Sequence, residues 1–235
     1  MVFVQALLQF FKDVTMKSRA PAHQKGFTLV EIAIVLVIIG LLLGGVLKGQ
    51  SLIEGSKVKA VVNEYRGTAS AINVYLDKYR AVPGDDLLVQ AHTGTGTIPT
   101  AATGNNGVID TGTWVGAAAA IATNESSLFW EHARAAGIVG GATGGTSNST
   151  LGGTLGVTSN LLRPTSPAGA RGQFVVCASG VPGSIAVQID TSMDEGTGNT
   201  GYVFASNQAG LPIVAATANV AAYAQAATYT QCFQS

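Results

Sequence analysis

The stretch that decides the fold is Gln24–Gly40, QKGFTLVEIAIVLVIIG. It opens an apolar run from Phe27 to Leu47, twenty-one residues that carry a single charge, Glu31. As a helix at 1.5 Å per residue the run spans about 31 Å, one bilayer core. A charged side chain within such a span costs about 2.5–3.5 kcal/mol on insertion scales, so Glu31 requires a partner that repays it.

On the N-terminal side, residues 1–26 read as a basic leader with an apolar front, MVFVQALLQFF. Initiation at Met16 would shorten it to MKSRAPAHQKG, with three basic groups and no acid. Secretory signals place the small residue of their cleavage site after the apolar stretch, whereas Gly26 precedes it here. Lys12, Lys17, Arg19 and Lys25 all lie before the run, which predicts a cytoplasmic N-terminus and an exported remainder.

On the C-terminal side the helix is expected to continue. Leu52, Ile53, Val58, Val61, Val62, Tyr65, Ala69, Ile72, Leu76 and Tyr79 recur at three- and four-residue spacing. Glu54, Lys57, Lys59, Glu64, Arg66, Asp77 and Lys78 occupy the other side. Val82-Pro83-Gly84 ends the element, since proline lacks the donor a helix needs. Gly40, Gly44, Gly45 and Gly49 place small residues on one face, where backbones can approach closely. They also make this segment the least helix-favouring part of the element.

Composition sets the second half apart. Charged residues are 11% of the 235, and the chain holds 30 glycines. Ten of the thirteen Lys and Arg fall at or before Arg80; beyond it, three cations against eight acids leave a net −5. That balance disfavours nucleic-acid binding, which works through basic patches that release counterions. The only cysteines, Cys177 and Cys232, lie on the exported side, where disulfides persist, so a bridge between them is expected. Two buried free thiols are the alternative.

Within residues 83–235 one helical island is expected, Glu125–Val139, with Asn124 as its N-cap and Leu128, Phe129, His132, Ala136 and Val139 on one face. The low-complexity stretch GGATGGTSNSTLGGTLG reads as a loop. Gln173–Ala178, Ser184–Ile189, Tyr202–Ala205 and Thr228–Phe233 read as antiparallel strands.

Several patterns invite a chemical reading. Gly196–Gly201, GTGNTG, fits a dinucleotide fingerprint, but that motif needs a strand before it and a helix after it. An acidic turn and the strand-like YVFA flank it instead, which fits a hairpin loop. Asp190, Asp194 and Glu195, with Asn199, gather hard oxygen ligands of the kind calcium takes, at a spacing unlike an EF-hand; a solvated acidic turn explains them as well. Asp85 and Asp86 read as a turn. His92 falls in an apparent flexible loop and His132 on an apolar helix face, where packing explains it better than catalysis. Trp114 and Trp130 read as core or interface. No G-x-S-x-G, H-E-x-x-H or P-loop is present, and the chain is not expected to be an enzyme. Asn124-Glu125-Ser126 and Asn148-Ser149-Thr150 fit the glycosylation acceptor pattern.

The combination of Lys25, Gly26, Phe27, Glu31 and the apolar span resembles the type IV pilin and type II secretion pseudopilin family. YRAVPGDD, LFWEHARAAGIV and IDTSMDEGTGNTGYVFA resemble it more loosely, and the helix-kinking proline of many members has no counterpart, Lys48 standing about there. The resemblance implies an α+β fold of pilin type, a long N-terminal helix packed on a small antiparallel sheet. It implies cleavage after Gly26 by a prepilin peptidase, N-methylation of Phe27, and an assembly role for Glu31 opposite the new terminal amine. The implied organisation is a leader (1–26), a membrane and assembly segment (27–48), an amphipathic continuation (49–82) and an exported domain (83–235). The implied partners are other copies of the chain, joined through their N-terminal helices, and an inner-membrane assembly platform. A cell-surface filament is then the destination, with no cofactor beyond the possible calcium. The alternatives are a pseudopilin or minor pilin of a secretion or DNA-uptake system, and a single-pass anchored binding or enzymatic domain.

Overall fold

The computed structural model describes residues 28–100, 104–109, 124–142, 147–159, 174–207 and 220–234. Its elements in chain order are α1 (Leu29–Tyr79), α2 (Val89–Thr93), α3 (Glu125–Ala135), β1 (Ser147–Asn148), β2 (Thr154–Thr158), β3 (Val175–Pro182), α4 (Gly183–Met193), β4 (Val203–Ser206) and β5 (Thr228–Gln234). By their internal contacts, residues 1–49 and 50–235 form two units.

The first unit contributes the start of α1. Every described residue from Thr28 to Lys48 is exposed. Burial on α1 begins in the second unit, at Val58, and continues through Val61, Val62, Tyr65, Thr68, Ala71, Ile72 and Tyr75. These residues fall at three- and four-residue intervals, the stripe by which an amphipathic helix covers a sheet. Leu52 and Ile53, expected on that stripe, are 64% and 57% exposed. The helix closes at Tyr79, and Arg80 turns the chain with a left-handed φ of 55°.

The sheet is antiparallel in the order β1-β2-β3-β5-β4. Cys177 and Cys232 stand directly opposite in the β3–β5 register, with Cα atoms 4.0 Å apart, and are joined by a disulfide. The bridge therefore clamps two neighbouring central strands. The outer edge of β4 is occupied from within the chain: the Ala205 N–H donates to the Gly198 carbonyl, and the Val220 N–H donates to the Ala205 carbonyl. An edge so covered offers no template for another strand.

The core gathers Val61, Tyr65 and Ile72 of α1 with Phe129, Trp130, Val157, Val176, Val181, Ile189 and Ala205. Two buried polar bonds fix the layers. The Tyr65 hydroxyl donates to the Gln231 carbonyl at 3.0 Å, and Trp130 Nε1 donates to the Leu155 carbonyl at 3.1 Å. Burial of the Tyr65 ring pushes its hydroxyl pKa well up, so it stays a donor at any ordinary pH.

Two expectations are corrected. Ser184–Ile189 is not a strand but the body of α4, which buries Ile185, Ala186, Ile189 and Asp190 on one side. Gly183 begins that helix beneath the Ala224 carbonyl, at a distance that leaves no room for a Cβ. The low-complexity stretch is not all loop: its Ser147–Asn148 and Thr154–Gly156 pair as part of β1 and β2, with Leu155 at 4% exposure in the core. The α3 expectation holds in kind but ends earlier, at Ala135; the Asn124 side chain accepts from the Ser127 N–H as its N-cap.

Candidate processing and assembly site

The start of α1 is a reciprocal cap. The Glu31 N–H donates to Thr28 Oγ1 at 3.3 Å, while the Thr28 N–H and hydroxyl each donate to Glu31 Oε2 at 2.9 Å. This is the S/T-x-x-E capping box, in which two orphan donors of a helix terminus are satisfied by each other's residues. Glu31 is thus held at the helix's positive end, where a carboxylate is favoured. Its Oε1 has no hydrogen-bond partner among the described residues. Gly26 and Phe27 lie outside the described residues.

Beyond the cap, Leu29, Val30, Leu36, Val37, Leu41, Leu42 and Leu47 are among the most exposed large apolar side chains of the chain. At Gly40, Gly44, Gly45 and Gly49 a Cβ would meet nothing within 4 Å. Among the described residues α1 is the one helix long and apolar enough to cross a membrane.

The structure places the other candidates as follows. Asp190 is fully buried: Oδ2 accepts from the Tyr223 hydroxyl at 2.5 Å and Oδ1 from the Gly196 N–H at 3.0 Å. Burial pushes its carboxyl up, the Tyr223 bond opposing. Asp194 turns to the backbone N–H groups of Tyr202 and Val203, and Glu195 accepts from the Thr197 and Thr200 hydroxyls. Among the described residues no group of three or more His, Cys, Asp or Glu side chains is placed to hold a metal ion. Gly196–Gly201 joins a helix to a strand, the reverse of a dinucleotide loop, and is not a hairpin.

His92 is not in a loop. It lies on α2, where Nδ1 meets Asp86 Oδ2 at 2.7 Å and the ring stacks on Tyr79 with centroids 5.0 Å apart. Asp85 and Asp86 follow α1 at the turn of residues 83–85, Asp85 within it and Asp86 next to it, and each is only 2% exposed. Asp86 also accepts from the Tyr75 hydroxyl at 2.7 Å and the Leu88 N–H at 2.8 Å; Asp85 accepts from the Asn106 and Gly107 N–H groups at 3.2 and 2.7 Å. These two acids fold the loop after α1. His132 packs within the core of this loop: Nδ1 accepts from the Gly84 N–H and Nε2–H donates to the Thr97 carbonyl, both at 2.9 Å. That pairing fixes the neutral tautomer, and burial lowers the ring's pKa. Gly84 has φ 95°, and a Cβ there would lie 2.5 Å from the Glu125 carbonyl oxygen, so glycine is required on both counts.

Trp130 is core, and Trp114 lies outside the described residues. Of the two acceptor patterns, Asn124 is consumed as a cap, whereas Asn148 is exposed on β1. One contact escaped the sequence reading: Glu64, placed on the solvent side of α1, accepts from the Ser149 hydroxyl at 2.8 Å and the Thr150 N–H at 2.7 Å. Nothing at a separation of over eighty residues signals such a pair.

A capped apolar helix that continues onto a small antiparallel sheet defines an α+β protein of type IV pilin-like architecture. Residues 21–47 match the family model of the prokaryotic N-terminal methylation motif, so the chain carries the prepilin-type signal of type IV pilins and pseudopilins. The match takes in Lys25, Gly26, Phe27 and Glu31. No curated protein matches the chain.

Proposed function

We propose that this chain is the structural subunit of a type IV pilus-like filament. A prepilin peptidase cleaves after Gly26 and methylates the amine of Phe27. The mature chain is held by α1 in the inner membrane and then polymerises through the same helix. The observation that carries this reading is the junction of the methylation motif with an apolar helix exposed throughout Thr28–Lys48. Such a surface is stable only against lipid tails or against other copies of itself.

The chemistry of Glu31 supports it. The capping box holds the carboxylate through Oε2, leaving Oε1 for the terminal amine of a neighbouring subunit. A pair of that kind specifies axial register more than it adds stability. The pseudopilin of a secretion system shares these features, and abundance in filaments sheared from the cell surface separates the two readings. Electron microscopy of sheared material tests the proposal: wild type gives filaments, and Glu31→Ala gives processed, membrane-inserted chain without filaments. Filaments at wild-type level from Glu31→Ala would overturn it.

A further inference from the structure

Among the described residues only two that are not glycine have a left-handed backbone, Arg80 with φ 55° and Asn105 with φ 66°. Both line one cavity of about 310 Å³, together with Leu76, Ala81, Val82 and Asp85. A left-handed φ costs an L-residue free energy that glycine is spared. Two other helices meet the same demand with glycine: Gly94 after α2 has φ 80°, and Gly137 after α3 has φ 71°. At the end of α1 an arginine stands instead, so its side chain should have a use that offsets the backbone's cost. Within the chain it has none. Arg80 is exposed, its N–H donates to the Leu76 carbonyl at 2.9 Å, and its guanidinium has no ion pair or hydrogen bond among the described residues. Asn105 is alike: its N–H donates to the Asp85 carbonyl at 2.8 Å, while its exposed carboxamide has no partner among the described residues.

The acid of the cavity is already engaged. Asp85 accepts from the Asn106 N–H through Oδ1 and from the Gly107 N–H through Oδ2, and it is 2% exposed. The exposed residues of the lining are then Arg80 and Asn105 alone.

We infer that this cavity binds a small organic carboxylate. A guanidinium matches the two oxygens of a carboxylate with paired, charge-assisted hydrogen bonds, and the carboxamide adds a further N–H donor. Leu76, Ala81 and Val82 supply apolar lining for the hydrocarbon part of such an acid. A volume near the lower end of ligand sites suits one ring or a short chain. Strained backbone of this kind gathers at ligand clamps, where it holds side chains in place before the ligand arrives. The site does not depend on the filament reading and stands whether or not filaments form.

The test follows the backbone amides of Arg80 and Asn105 by NMR in the full-length chain, held in detergent micelles, on titration with benzoate. Benzamide is the control, similar in shape and without the charge. Benzoate is expected to shift both amides to saturation, and benzamide to need about ten times the concentration, the margin a charge-assisted pair holds over a neutral one. Arg80→Gly is expected to weaken benzoate binding at least about tenfold while its melting temperature does not fall. Arg80→Lys keeps the charge without the planar fork and is expected to weaken binding as well. Benzoate that shifts neither amide, benzamide that binds as well as benzoate, or wild-type binding in Arg80→Gly and Arg80→Lys would overturn the site. A lower melting temperature in Arg80→Gly would overturn it too, since the guanidinium would then have its use within the fold.

Discussion

Thr28 and Glu31 close the first turn of α1 on each other: the Glu31 N–H donates to the Thr28 hydroxyl at 3.3 Å, and the Thr28 N–H donates to the Glu31 carboxylate at 2.9 Å. The carboxylate that looked out of place in an apolar run therefore has a local partner as well as an expected distant one. Loss of an N-cap hydroxyl costs about 1 kcal/mol. Thr28→Ala should raise the exchange rates of the amides at the start of α1 by about fivefold, with Thr28→Ser close to wild type. Unchanged exchange in Thr28→Ala would show that the cap does not hold the helix end.

The disulfide joins residues 55 apart in sequence across two adjacent strands. In the chain-entropy model a loop of that length stabilises by about 4 kcal/mol. Cys177→Ser with Cys232→Ser should lower stability by about that amount in chemical denaturation, because both side chains are fully buried. A loss below about 1 kcal/mol would mean that the β3–β5 pairing holds itself.

His132 makes stability depend on pH. Its folded pKa is lowered from 6.5 because burial disfavours the charged ring. Above 6.5 the ring is neutral in both states and its two hydrogen bonds count fully; as pH falls below 6.5 the unfolded chain takes up the proton first. Stability is thus lost on acidification through that window. Asp190 opposes it at lower pH: its raised pKa means that its burial penalty is relieved as pH falls toward the carboxylate range. Thermal melts between neutral and mildly acidic pH should fall less steeply for His132→Gln than for wild type. Parallel curves would remove His132 as the cause.

Arg80 ends α1 with φ 55°, a conformation that costs an L-residue about 1 kcal/mol and glycine little. Arg80→Gly should therefore raise the melting temperature of the unit formed by residues 50–235, while Arg80→Ala should not. A lower melting temperature in Arg80→Gly would show that the guanidinium contributes more than the backbone strain removes.

How much of this was legible in the sequence depends on the range of the signal. The apolar run, the α1 positions Val58, Val61, Val62, Tyr65 and Ile72 and the Asn124 cap are periodic or local, and they read correctly, whereas Thr68, Ala71 and Tyr75, buried on the same helix, were not on the expected stripe. Ser184–Ile189 misled because Ile185, Val187 and Ile189 alternate as in a strand, while Ile185, Ala186 and Ile189 form a helix face equally well; six residues fit both periods. The Gly- and Thr-rich stretch hid β1 and β2 because pairing, of β1 with β2 and of β2 with β3, and not propensity makes them strands. At the functional end, Glu31 was legible as an anomaly of charge in an apolar run. Asp85 and Asp86 were not legible as buried organisers, since their donors at Tyr75, Asn106 and Gly107 come from either side of the turn.

The central claim is that this chain is processed as a prepilin, and the mature N-terminus tests it most directly. N-terminal sequencing with mass spectrometry of membrane-extracted protein should find a chain that begins at N-methylated Phe27, with residues 1–26 removed. A mature chain that begins at an unmodified Met1 or Met16 would contradict it.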